Sequence, residues 1–108
     1  MSIFSFFTSR PDIHDGLRRF RAERNALLLD VRTPEEYREG HIPGSRNIPL
    51  DQLERLKERK HNPLYVYCWS GARSAQACAL LRQMGFPAEN IGGLANYSGE
   101  LETGKGDE

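Results

Sequence analysis

Apolar residues in this chain come in short runs, set between charged stretches in which they recur every three or four positions. Ile13, Leu17 and Phe20 predict a first helix, with Gly16 an unfavourable residue inside it. ALLLDV, residues 26–31, is a continuous apolar run of strand length that ends in Asp30 and Arg32. A restart follows at Thr33-Pro34-Glu35-Glu36: a threonine cap, proline at the first helical position and glutamate at the third are the parts of a capping box, and Gly40 offers the stop. Pro43-Gly44 signals a turn, Asn47-Ile48 a short strand, and Leu50, Leu53 and Leu56 a narrow stripe through a charged helix that Asn62-Pro63 should end. Leu64 to Cys68 is the second clear strand. Beyond it Ala77, Leu80, Leu81 and Met84 fall at helical spacing, with Gly85 as the cap.

Strands alternating with helices at this interval predict an α/β fold, a central parallel β-sheet flanked by helices on both faces. With 108 residues the chain builds one modest core, placed at 11–98, with 1–10 as a flexible N-terminal segment and 99–108 as a disordered tail. Fifteen basic against 15 acidic residues leave no net field to attract nucleic acid or an anionic membrane. MSIFSFF is apolar but far short of a spanning helix, has no basic residue ahead of it and lacks a small-residue cleavage site, so a cytoplasmic chain is expected. Cys68 and Cys78 are the two cysteines; a helix that begins beyond the loop carries Cys78 too far along its axis to pair with Cys68. No C-x-x-C pair and no Cys/His cluster points to dithiol redox chemistry or structural zinc.

The stretch YVYCWSGARS, Tyr65 to Ser74, holds the chemistry. Cys68 ends a strand, and in an open parallel sheet sites form outside the carboxyl ends of the strands. The loop from Cys68 to Arg73 is six residues, and curled around the sulfur its backbone N–H groups make an anion nest, reinforced by the positive end of a helix starting near Ser74. Gly71 permits backbone angles closed to other residues, and Arg73 adds a cation at the rim. Each of these favours the thiolate, which helix termini and cations stabilise to a pKa of roughly 3.5–7.5.

LLLDVRTPEEYREGHIPGSRNIPL, Leu27 to Leu50, resembles the first signature of the rhodanese-like sulfurtransferases, and CWSGARS with ALLRQMGF, within Cys68 to Phe86, resembles their active-site loop and the helix after it. The resemblance implies a single rhodanese domain in which Cys68 takes up a sulfane sulfur and the loop Trp69, Ser70, Gly71, Ala72 and Arg73 cradles it. It implies transfer from thiosulfate or a low-molecular-weight persulfide to cyanide or a thiol, with a protein acceptor left open and no metal or organic cofactor. After Phe86 the likeness weakens. Gly92-Gly93 is kept, the segment before it is shortened, and Tyr97 stands where the family commonly has tryptophan, so the last strand and helix stay open.

Two other functions compete. Cysteine phosphatases and arsenate reductases also join a strand-end thiolate to an amide nest and an arginine, but the phosphatase loop resembles C-x-x-x-x-x-R, one residue longer than the ring here. A non-enzymatic interaction or sulfur-carrier module is the other; such family members often lose the cysteine or the loop glycine, and both are present. Plainer roles apply to several residues. Arg73 either binds substrate or ties the loop to Asp30 or Glu36. Trp69 lines the entrance or covers apolar surface, Ser70 could offer its hydroxyl to an anion, and Ser74 reads as a helix-start residue. Cys78 reads as core, His41 as part of a structural turn, His14 and His61 as residues without companions, and Arg18, Arg19, Arg21 and Arg24 as a solvated helix face.

Overall fold

The computed structural model describes residues 11–104. Asp12 caps helix α1, Ile13–Ala22, by accepting the His14 N–H at 3.0 Å. Strand β1, Leu27–Asp30, leads into α2, Pro34–Glu39, where Thr33 and Glu36 form both halves of the capping box. Then come β2, Ser45–Asn47, a 3₁₀ segment at Leu50–Arg55, β3, Leu64–Cys68, helix α3, Ala72–Gln83, β4, Ala88–Gly93, and a 3₁₀ turn at Leu94–Asn96. The four strands are all parallel in the order β2-β1-β3-β4. Asp30 stands opposite Asn47 and Tyr67, and Cys68 opposite Gly93, so the carboxyl ends of the strands share one edge.

Alternation along β3 decides which way the cysteine faces. Leu64, Val66 and Cys68 point to the side covered by α3 and the first 3₁₀ segment, packing with Ala77, Cys78 and Leu81. Tyr65 and Tyr67 point to the other side, where Ile13 and Leu17 of α1 and Ile91 of β4 cover them. Both faces are thus dry, as a parallel sheet requires. Gly16 is accounted for by this packing: a Cβ there would fall 2.4 Å from Ile91, so α1 lies on β4 only because the residue is glycine.

The first signature folds around a buried charge pair. Asp30, wholly buried, accepts the backbone N–H of Arg32 at 2.9 Å and two guanidinium N–H groups, at 3.0 and 2.6 Å, and Arg32 also donates to the Gly40 carbonyl at 2.7 Å. The Asn47 amide donates to the carbonyls of Asp30 and Arg32, both at 3.0 Å. Strand end, α2 and β2 are fastened by this network before any site residue is reached.

Several expectations are corrected. Leu50, Leu53 and Leu56 do not ride an α-helix running to Asn62: the segment is 3₁₀, non-helical at Gln52, and finished at Leu56, because residues spaced by three eclipse at three residues per turn. Helix α3 begins at Ala72, two positions before Ser74, and buries Ser74, Ala77, Cys78 and Leu81, leaving Leu80 exposed. The short strand is Ser45–Asn47, although the Ile48 N–H still donates to the Asp30 carbonyl at 3.0 Å. Beyond β4 the 3₁₀ turn is the last helical element among the described residues. Residues 99–104 are not a loose end: Glu102 and His41 exchange backbone hydrogen bonds at 2.8 Å each, and the Gly104 N–H donates to the Arg38 carbonyl at 2.9 Å. These bonds satisfy backbone groups that composition alone assigns to water. His14 has companions, stacking on Tyr97 at 5.4 Å and accepting the Ser98 N–H at 3.2 Å. Residues 1–10 and 105–108 lie outside the described residues. No helix among the described residues is long and apolar enough to cross a membrane.

Candidate active site

Gly71 takes a φ of +98°, the left-handed turn that reverses the chain after β3 and starts α3 directly behind it. The Cys68 sulfur therefore faces the first turn of α3, whose N–H groups have no partners within the helix. It accepts the Gly71 N–H at 3.0 Å and the Ser74 N–H at 3.3 Å, and the Ser74 hydroxyl lies 3.4 Å away. Burial alone would raise this thiol. The Ser74 hydroxyl, then the backbone N–H groups of Ser74, Gly71 and Ser70, outweigh burial and bring it below its ordinary value of 9.0.

The loop rests on β4. A Cβ on Gly93 would sit 2.1 Å from the Trp69 carbonyl oxygen, and that oxygen accepts the Ala95 N–H at 3.0 Å. Gly92-Gly93, visible in the sequence only as a point of likeness, is thus the floor that lets the loop close.

Arg73 braces the loop. Its guanidinium makes a fork on the Glu36 carboxylate, at 2.8 and 3.0 Å, whereas Asp30, the other partner considered, is taken by Arg32. The Arg73 hydrogen bonds, aided by Thr33 and opposed by burial, hold Glu36 down to about 2. The cation is therefore paired, and the groups that touch the sulfur are backbone N–H groups and a hydroxyl. Trp69 is 53% exposed and Ala72 is exposed beside it. The Ser70 hydroxyl turns back on the loop, accepting the Ala72 N–H at 3.3 Å.

Two contributors escaped the sequence reading. Ser74 is completely buried and touches the sulfur with both its N–H and its hydroxyl; a helix beginning directly after Gly71 would have placed it in the first turn. Asn90 of β4 lies behind it, accepting the Ser74 hydroxyl at 2.6 Å and donating to the Gly71 carbonyl at 3.1 Å. Its one local bond, from the Gly92 N–H, does not mark it as part of the site, because the partners that place it there, Ser74 and Gly71, are 16 and 19 residues away. Cys78 packs in the core, and burial pushes its thiol up to about 11. His41 is buried against Tyr37, ring centres 3.7 Å apart, with Nδ1 2.7 Å from the Tyr37 carbonyl oxygen.

The profile of the rhodanese-like domain matches residues 14–100. The chain is 43% identical over 91 residues to the uncharacterized protein YqhL of Bacillus subtilis, covering 80% of this chain and 72% of that one. It is 42% identical over 75 residues to thiosulfate sulfurtransferase PspE of Escherichia coli, covering 65% of this chain and 72% of the relative. Among solved structures, an E. coli rhodanese with anions superposes with a TM-score of 0.66 at 34% identity, over 73% of this chain and 99% of that one.

Proposed function

The chain belongs to the rhodanese-like domain family, and from that premise we propose that it is a sulfurtransferase that carries a sulfane sulfur on Cys68. The observation that carries this reading is the sulfur itself: it ends a central strand, accepts N–H groups from Gly71 and Ser74, and is more acidic than an ordinary thiol. Lowering a thiol in this way favours its thiolate, which is the nucleophilic form and the natural seat of a persulfide.

In the first step the Cys68 thiolate attacks the outer sulfur of thiosulfate or of a low-molecular-weight persulfide. A new S–S bond forms, the donor's S–S bond breaks, and sulfite or a thiolate leaves with the bonding pair. The negative charge now sits on the outer sulfur of the Cys68 persulfide, where N–H groups of the loop would stabilise it. In the second step cyanide or an acceptor thiolate attacks that outer sulfur, and Cys68 departs as the thiolate that the site favours. Each sulfur moves by nucleophilic displacement with no net oxidation, and the site favours the Cys68 thiolate both as the nucleophile of the first step and as the leaving group of the second.

Arg73 weighs against the phosphatase reading. A phosphate would need its guanidinium fork, and Glu36 occupies both arms. The loop's exposed indole, Trp69, is the surface that an acceptor would meet first.

Intact-mass spectrometry after incubation with thiosulfate, and separately with glutathione persulfide, tests the proposal. The expected result is one added sulfur atom on Cys68, absent in Cys68→Ser and discharged by cyanide. No gain with either donor, or a gain that survives in Cys68→Ser, would defeat it.

A further inference from the structure

Behind the sulfur lies a polar relay that the transfer steps do not use directly. The Asn90 amide cannot be turned over: its Oδ1 accepts the Gly92 N–H at 3.0 Å and its NH₂ donates to the Gly71 carbonyl at 3.1 Å. That orientation aims Oδ1 at Ser74, whose hydroxyl donates to it at 2.6 Å while its oxygen lies 3.4 Å from the Cys68 sulfur. Ser74 is fully buried, and its one hydroxyl proton has two acceptors to choose between, with the Gly92 carbonyl a distant third at 3.5 Å.

We propose that Asn90 is a positioning residue that acts on Cys68 through the Ser74 hydroxyl, drawing its proton away whenever the sulfur is uncharged and releasing it when the sulfur is a thiolate. With a protonated thiol, S–H donates to the Ser74 oxygen and Ser74 donates to Asn90. With a thiolate, the hydroxyl rotates to the sulfur, and Asn90 keeps the Gly92 N–H. In the persulfide, which rests on the proposed sulfurtransferase reading, the inner sulfur is neutral and the hydroxyl returns to Asn90. No proton leaves the Ser74 oxygen at any stage; only its direction changes. Asn90 therefore favours both resting forms over the bare thiolate.

A counterintuitive sign follows. Removing the Asn90 oxygen takes a hydrogen bond from the thiol form but not from the thiolate, so Asn90→Ala should make Cys68 more acidic, by about half a unit to one unit for one neutral hydrogen bond. A residue that merely braces the loop would act the other way, since slackened N–H groups hold a thiolate less well. The charged groups nearby, Arg73 with Glu36 and Asp30 with Arg32, are altered by neither substitution.

The test is the pH dependence of iodoacetamide alkylation at Cys68 in the full chain, for the parent, Asn90→Ala, Ser74→Ala and the double variant. A downward shift in Asn90→Ala that vanishes in the Ser74→Ala background supports the relay. An unchanged or raised midpoint, or an equal shift in both backgrounds, overturns it. Should Asn90→Ala not fold, NMR of the unsubstituted protein carries the same test: the Asn90 side-chain carbonyl should shift with the midpoint of Cys68 alkylation, and a carbonyl resonance indifferent to that midpoint overturns the relay. These measurements need no sulfur donor, so loss of the relay and loss of the sulfurtransferase reading are told apart: the first moves the alkylation midpoint, the second the mass gain.

Discussion

Cys68 and Cys78 each expose 1% of their surface, and they pack in one apolar cluster, yet their thiols move in opposite directions. Burial pushes Cys78 up to about 11, with the Arg82 charge opposing and no hydrogen bond among the causes. The same burial acts on Cys68 and is overcome by a hydroxyl and three backbone N–H groups. The difference comes from position along a helix. Cys78 lies past the first turn of α3, where every N–H is already bonded to a carbonyl, whereas Cys68 ends a strand facing N–H groups that the helix leaves unpaired. Reactivity here is a matter of which backbone groups remain free, and exposure does not separate the two thiols.

The largest effect that bears on this contrast is on transfer itself. Cys68→Ser should reduce thiosulfate-to-cyanide transfer to background, while Cys78→Ala should keep it and lose about 1 kcal/mol of stability for a small cavity, read by denaturant unfolding. Transfer that survives the first substitution would leave the two cysteines equivalent. Next is alkylation: iodoacetamide at neutral pH should modify Cys68 faster than Cys78 by on the order of a hundredfold or more, because a thiol pushed up to about 11 holds far less thiolate than one brought below 9.0. Equal and sluggish rates, read by peptide mapping, would mean that burial governs both.

Stability against pH sharpens the comparison further, because the two signs oppose. Cys78 is raised in the folded state, so its contribution is full below its unfolded value, near 9, and is lost as pH climbs through about 11. Cys68 is lowered, so its contribution is full above that unfolded value and is lost as pH falls through its folded one. Melting temperatures across this alkaline range should fall less in Cys78→Ala than in the parent; identical slopes would refute the assignment.

The smallest effect concerns the brace. Glu36→Gln and Arg73→Ala should each lower transfer only a few-fold, and the double variant no further, since a partly exposed pair contributes about 1 kcal/mol or less. With Glu36 held down to about 2, its contribution to stability is complete above the ordinary carboxylate value of 4.5 and disappears as pH falls through about 2. An additive double variant would show that Arg73 has a role apart from Glu36, such as binding the anionic donor.

Much of this molecule is written in short-range chemistry. The capping box at Thr33 to Glu36 formed as its spacing requires, and Gly71 turns where a glycine is needed. The sequence reading failed where one pattern fits two structures. Leucines spaced by three suit a 3₁₀ segment as well as a helix stripe, and glycines near a chain end suit a loose tail as well as one in which Glu102 pairs with His41.

What the chain alone determined is the alternation of strand and helix, the thiol at a strand end and the loop of N–H groups ahead of it, because each depends on residues within a turn of one another. Tertiary structure decided which carboxylate holds Arg73, why Gly93 must lack a side chain, and that Asn90 stands behind Ser74. These depend on the register between β3 and β4 and on α2 meeting the loop. Local propensity cannot supply that information, since it arises only when segments distant in sequence are packed at van der Waals contact.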